Sequence, residues 1–282
     1  QEYLLKPVKR DALLDVLRRI DAKLTQAARH TNLELVRDAI NGSLGVQRAG
    51  LPQAYALFLF NIGNLCGVTA SSATRSVFEE IWRRFDFAAL QAQYAGLMVV
   101  NSSTPNARYL VLPLAGSLDC SVAQRVFADL LEQASGINVN LFYISPVTLD
   151  GLYSLARALR LGLEQNLIIG ESNIADIAAA APKPPAAVLP AAVYSRLVTL
   201  IGHGQVDVLE MDVRGIVDSA LAQRQSQMWI QDHIHQVIEL FQRHSASTLP
   251  EEIYHAEYQL FDGLSLPGSG SALVERTWRL LR

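Results

Sequence analysis

The chain is short of cysteine, of long apolar runs and of clustered positive charge, and each shortage narrows what it can be. Cys66 and Cys120 are the only two cysteines in 282 residues, which argues for a reducing, cytoplasmic setting without a disulfide framework. Each stands alone beside small residues with no histidine nearby, so both are expected to be buried, unreactive thiols. No uninterrupted apolar stretch is long enough to span a membrane. The nearest, Ile174 to Tyr194, is broken by Asp176, Lys183 and four prolines. Glu2, Lys6, Lys9 and Arg10 are not followed by a long apolar core, so no signal peptide is expected. The formal net charge is −3 and Lys/Arg-rich blocks are missing; a nucleic-acid module would show a basic face or a reading motif. This stretch is not expected to touch DNA itself.

Motifs for metal and phosphate chemistry are missing too. His233 and His235 lie two apart on a predicted helix and so diverge by about 200°, too far to chelate. His203, His244 and His255 are expected to be solvated or capping histidines rather than metal ligands. Gly268-Ser269-Gly270-Ser271 lacks the lysine and the length of a phosphate loop. Trp82, Trp229 and Trp278 sit at helical positions and are assigned to packing. No catalytic residue, metal or cofactor is expected.

What is present is apolar mass with clear periodicity. Hydrophobic residues make up 50% of the chain and the mean hydropathy is +0.17, enough for a sizeable core, and the length allows two domains. From Val8 onward the pattern is helical. Leu13, Leu17, Ile20, Leu24, Ala27 and Thr31 recur at spacings of 4 and 3, a heptad seam with charges between its positions. Such a helix, spanning 11–45, either packs on its own domain or pairs with its copy in a dimer along Leu13, Leu17, Ile20 and Leu24. Asn41-Gly42 and Gly45 are stop signals.

Beyond Gly50-Leu51-Pro52 the pattern changes. A strand is predicted over Tyr55–Ile62, a helix over Ser76–Tyr94, and a hairpin from Gly96–Val100 and Tyr109–Leu114. A helix over Val122–Ala134, a strand over Val139–Ser145, a helix over Leu149–Gln165 and a short strand over Leu167–Ile169 follow. This is an α+β unit, an antiparallel sheet covered on one face, at 51–180. An Ala/Pro-rich linker at 181–190 leads to a helical bundle at 191–282, with helices over Ala191–Ile201, Val206–Arg224, Met228–His244, Pro250–Leu260 and Ser271–Leu281.

Four local runs resemble known families. Gln1-Glu2-Tyr3-Leu4-Leu5-Lys6-Pro7 resembles the last strand of a two-component receiver domain at its junction with the final helix. That resemblance implies that 1–20 is a receiver remnant, in which Lys6, before Pro7, contacts the phosphoryl group. Leu57-Phe58-Leu59-Phe60-Asn61-Ile62-Gly63, Arg108-Tyr109-Leu110-Val111-Leu112-Pro113 and Val139-Asn140-Leu141-Phe142-Tyr143-Ile144-Ser145 together resemble the nucleotide-cyclase-like fold of GGDEF domains. The likeness is to the degenerate version found in response regulators that end in an AraC-type DNA-binding domain.

The resemblance implies a degenerate GGDEF-like (nucleotide-cyclase-like) α/β sandwich, flanked by a long connecting helix and a helical bundle. An active GGDEF domain holds Mg²⁺ on carboxylates of its first strand and hairpin. Here those positions are Asn61 and Gly63, and the whole segment 95–107 contains no Asp or Glu. Without anionic ligands neither the metal nor phosphoryl transfer is supported, so the domain is expected to be non-catalytic. Asn61, Gly63, Asn64, Asn101 and Ser102 remain as a possible vestigial cleft for a small effector. The implied whole is a homodimeric, bacterial, cytoplasmic transcription regulator. Its partners would be a histidine kinase, acting through a receiver ahead of this stretch, and DNA, bound by a domain after it.

Overall fold

The run Ala-Tyr-Ala-Leu-Phe-Leu-Phe-Asn-Ile shows no alternation of polar and apolar residues, because neither face of the strand it forms meets water. In the computed structural model, which describes residues 10–43, 54–116, 118–179, 189–244 and 250–266, this strand (β1, Ala54–Ile62) is the centre of a five-stranded sheet. It pairs antiparallel with β3 (Ala107–Leu114) on one side and β4 (Val139–Val147) on the other. β2 (Met98–Asn101) lies outside β3, also antiparallel, and β5 (Asn173–Asp176) runs parallel to β4 at the far edge. The order β2-β3-β1-β4-β5 makes the first four strands a split βαβ arrangement.

Two features of the sheet differ from expectation. It is mixed rather than antiparallel, and helices cover both faces rather than one. Ala56, Phe58, Phe60 and Ile62 point to a layer formed by α2 (Ser72–Trp82), α3 (Phe87–Gln93) and α4 (Cys120–Gln133). Tyr55, Leu57 and Leu59 point to the end of α1 (Arg10–Ile40) and to α5 (Leu152–Asn166). With both faces of a sheet buried, its strands must be apolar throughout.

The single helix expected over Ser76–Tyr94 is two. The first ends at Trp82 with Arg83 as its C-cap, and Asp86 starts the second, its carboxylate accepting the Ala89 N–H at 2.9 Å as an N-cap. Phe85, at the corner, sets its ring edge-on to Phe60 with centroids 5.2 Å apart. The last strand is also displaced. Leu167 and Ile169 are buried as packing residues, the chain turns at Gly170 (φ +76°), and pairing begins only at Asn173.

The expected 11–45 helix begins at Arg10 and stops at Ile40. Gly42 (φ +76°) donates its N–H to Ala39 O and Ser43 donates to Asp38 O, a Schellman closure. Four further helices follow: α6 (Ala191–Gly202), α7 (Val206–Ala222), α8 (Gln227–His244) and α9 (Pro250–Ser265). Their core includes Leu197, Leu200, Val213, Val217, Ile230, Ile234 and Val237, apolar positions three and four apart along each helix. α9 runs five residues beyond its expected end. Lys6, Pro7, residues 180–188 of the linker region and the expected helix Ser271–Leu281 with Trp278 lie outside the described residues.

Candidate functional site

Asn61 and Gly63, two of the expected cleft residues, lie at the end of β1. Asn61 is 1% exposed and its Nδ2 donates to Gly63 O at 3.0 Å. Gly63 takes a positive φ of 69° and donates its N–H to Asn138 O at 2.7 Å. Asn106, from the β2–β3 turn, donates Nδ2 to Ile62 O (3.0 Å) and Asn64 O (2.6 Å). Asn140 sits directly opposite Asn61 in the β1–β4 pairing and is fully buried. The sheet therefore ends in an asparagine cluster. Asn106, Asn138 and Asn140 were not singled out from the sequence, where Asn106 reads as ordinary turn chemistry.

Asn101 and Ser102 do not join that cluster through side-chain contacts. Asn101 is exposed opposite Arg108, and Ser102 donates its N–H to Ala107 O within the turn. Arg108 itself lies over Trp82 and Phe87, its guanidinium carbon 4.4 Å and 4.8 Å from their ring centroids. Burial pushes its pKa down from the ordinary value. The Trp82 indole N–H reaches Pro105 O at 2.7 Å and ties the turn to the helical layer.

The bundle closes on the loop that leaves this end of β1. Asn64 donates both amide hydrogens to the far end of the chain, to Leu264 O at 3.0 Å and Leu266 O at 3.1 Å. Gln227, fully buried at the start of α8, brackets Leu65: its Oε1 accepts Leu65 N–H at 2.6 Å and its Nε2 donates to Leu65 O at 3.3 Å. The backbone N–H of Gln227 donates to Leu167 O at 2.8 Å. Asp262 accepts Ser71 N–H at 3.0 Å and the Thr74 hydroxyl at 2.8 Å. Tyr258 donates its hydroxyl to Thr69 O at 2.8 Å, and Arg224 pairs with Glu171. Sandwich and bundle thus meet through a polar joint at 63–74, built from residues about 160 to 200 positions apart in sequence.

The proposed seam of α1 is exposed: Leu13 by 40%, Leu17 by 52%, Ile20 by 44% and Leu24 by 65%. Val36, Ala39 and Ile40 of the same helix are buried against the sheet. One end of α1 is rooted in the sandwich, and the rest presents leucines to solvent.

The cysteines depart from expectation. Cys120 is exposed and Cys66 half-buried. Burial pushes the Cys66 thiol up to about 11, the Ser265 hydrogen bond and the Arg75 charge opposing it and the Asp262 charge adding to it, so it stays protonated and a poor nucleophile near neutral pH. His233 is buried with Nδ1 2.8 Å from Trp229 O. His235 is exposed and pairs with Glu257 at 2.5 Å. Among the described residues no three His, Cys, Asp or Glu side chains gather closely enough to hold a metal ion, and no helix is long and apolar enough to cross a membrane. Comparison with protein-family models, curated proteins and solved structures returned no match.

Proposed function

We propose that this chain is a non-catalytic regulatory and dimerisation region of a two-component response regulator. It relays receiver phosphorylation to an AraC-type DNA-binding domain that would follow it. The observation that carries the proposal is the exposed leucine seam on a helix whose other end is buried in the sheet. A heptad repeat left in water is unfavourable unless a second copy covers it. The two helices between β1 and β2, the edge hairpin and the α4–β4–α5–β5 run support the degenerate GGDEF-like reading of the sandwich. The asparagine cluster supports the absence of cyclase chemistry, since neutral amides replace the carboxylates that Mg²⁺ requires.

Signalling in this scheme is a population shift between two arrangements of α1, each with its own packing. An effector bound among Asn61, Gly63 and Asn64 is the weaker alternative, because the Asn61 and Asn64 amides and the Gly63 N–H already serve the chain's own carbonyls. Sedimentation of the whole chain, as is and with Leu17→Asp and Leu24→Asp together, tests the dimer. Four leucines leave the seam across two copies, so association weakens by at least about a thousandfold while helicity by circular dichroism is retained. A chain that is monomeric throughout, or a double variant that still dimerises, refutes it.

A further inference from the structure

Between the two halves of the molecule lies a cleft of about 600 Å³, within the size range of small-molecule sites. Its floor is the 65–70 loop, one wall is α5, and the other is α8 and α9. It is separate from the asparagine cluster, none of whose members line it. We infer that this cleft binds a small organic cation, an amine or guanidine carrying an apolar portion, and that the ligand bridges sandwich and bundle.

The lining chemistry sets the ligand class. Four carboxylates face the cleft, and three are already engaged within the chain. Glu164 pairs with Arg160 at 3.3 Å, Glu257 with His235 at 2.5 Å, and Asp262 is held by Ser71 and Thr74. Asp232, half-buried on α8, has no hydrogen-bond or ion-pair partner among the described residues. A partly desolvated carboxylate facing a cleft attracts a positive group more strongly than one in open water. Tyr254 and Tyr258 line the same cleft, and aromatic faces favour a cation with an alkyl body. An anionic ligand would meet four carboxylates against Arg160 and His235, and Arg160, the one arginine lining the cleft among the described residues, is already bonded to Glu164 and Ser103.

The position also gives the ligand leverage. Asp232 and Tyr254 belong to the bundle, whereas the 65–70 loop and α5 belong to the sandwich, so occupancy favours the docked arrangement by mass action. This inference stands apart from the dimer proposal. A monomeric chain that binds amines would sink that proposal and leave this one standing, and a dimer that binds none would do the reverse.

The test is isothermal titration of the whole chain at low ionic strength with putrescine and with choline, and with malate as the anionic comparator. The expected result is saturable binding of at least one cation and none of malate. Asp232→Asn should weaken it by at least about tenfold, the loss typical of a charged hydrogen bond. Asp218→Asn, which removes the same charge from an exposed site on α7, should leave it unchanged. No binding of either cation, binding equal in the Asp232→Asn and Asp218→Asn chains, or tighter binding of malate overturns the inference.

Discussion

Replacing Gln227 by leucine should loosen the bundle from the sandwich without leaving a hole in either. Leucine matches the glutamine in bulk, so the change removes polar bonds rather than packing. Gln227 is 0% exposed and makes two side-chain hydrogen bonds to Leu65. Each such bond contributes about 0.5–1.5 kcal/mol net. Leu65 is half-buried, so water can partly replace what is lost, and the expected cost is about 1–2 kcal/mol. With a urea dependence of about 3 kcal/mol per molar, the unfolding midpoint falls by about 0.5 M. Tryptophan fluorescence follows it conveniently, because Trp82 lies in the sandwich and Trp229 in the bundle. Hydrogen exchange should show faster exchange across 63–71 with the β1 and β4 amides still protected. A midpoint within 0.1 M of the parent chain, together with unchanged exchange at 63–71, would refute the joint as an energetic feature.

Gly162→Ala should destabilise the chain even though alanine is the better helix former by about 1 kcal/mol. A Cβ there would lie 2.6, 2.9 and 3.1 Å from three side-chain carbons of Ile177, and overpacking of this kind costs about 1–3 kcal/mol. Thermal melting should show the loss, and Ile177→Ala added to Gly162→Ala should recover part of it. Asp262 makes the joint acid-sensitive. Burial raises its pKa, but the backbone and side-chain hydrogen bonds from Ser71 and the one from Thr74 outweigh that and hold it below the ordinary carboxylate value. A depressed folded-state pKa gives stability that is present above the unfolded value of about 4 and is lost as pH falls through the folded one. Asp262→Asn should therefore flatten the stability profile below about pH 4 in urea titrations, and an unchanged profile would refute this.

The strands with long apolar runs were legible from sequence. β1 and β4 lack alternation and contain several aromatic or β-branched residues, and Ser102 to Asn106 supply turn chemistry between β2 and β3. Burial of both faces follows from the same lack of alternation in β1, but it emerges only once α1 and α5 are seen to return to one side. The break between α2 and α3 was masked because Arg83, Arg84 and Phe85 include neither glycine nor proline; the one available signal was Asp86 as a cap. β5 is four half-buried residues at an edge, too short for any periodicity. The joint was illegible for a different reason. Gln227, Asp262 and Asn64 act through partners about 160 to 200 residues away, and no local pattern encodes a hydrogen bond at that separation.

α1 behaves as a lever with a fixed fulcrum. Its last turns are clamped by Val36, Ala39 and Ile40, and the 26 residues from Arg10 to Leu35 ahead of them extend about 39 Å at 1.5 Å per residue. A tilt of about 10° at the clamp would swing Arg10 sideways by about 7 Å, comparable with the spacing between packed helices. A small repacking of a few apolar groups at the sheet therefore moves the exposed leucines near the start of α1 far more than it moves the residues at the clamp.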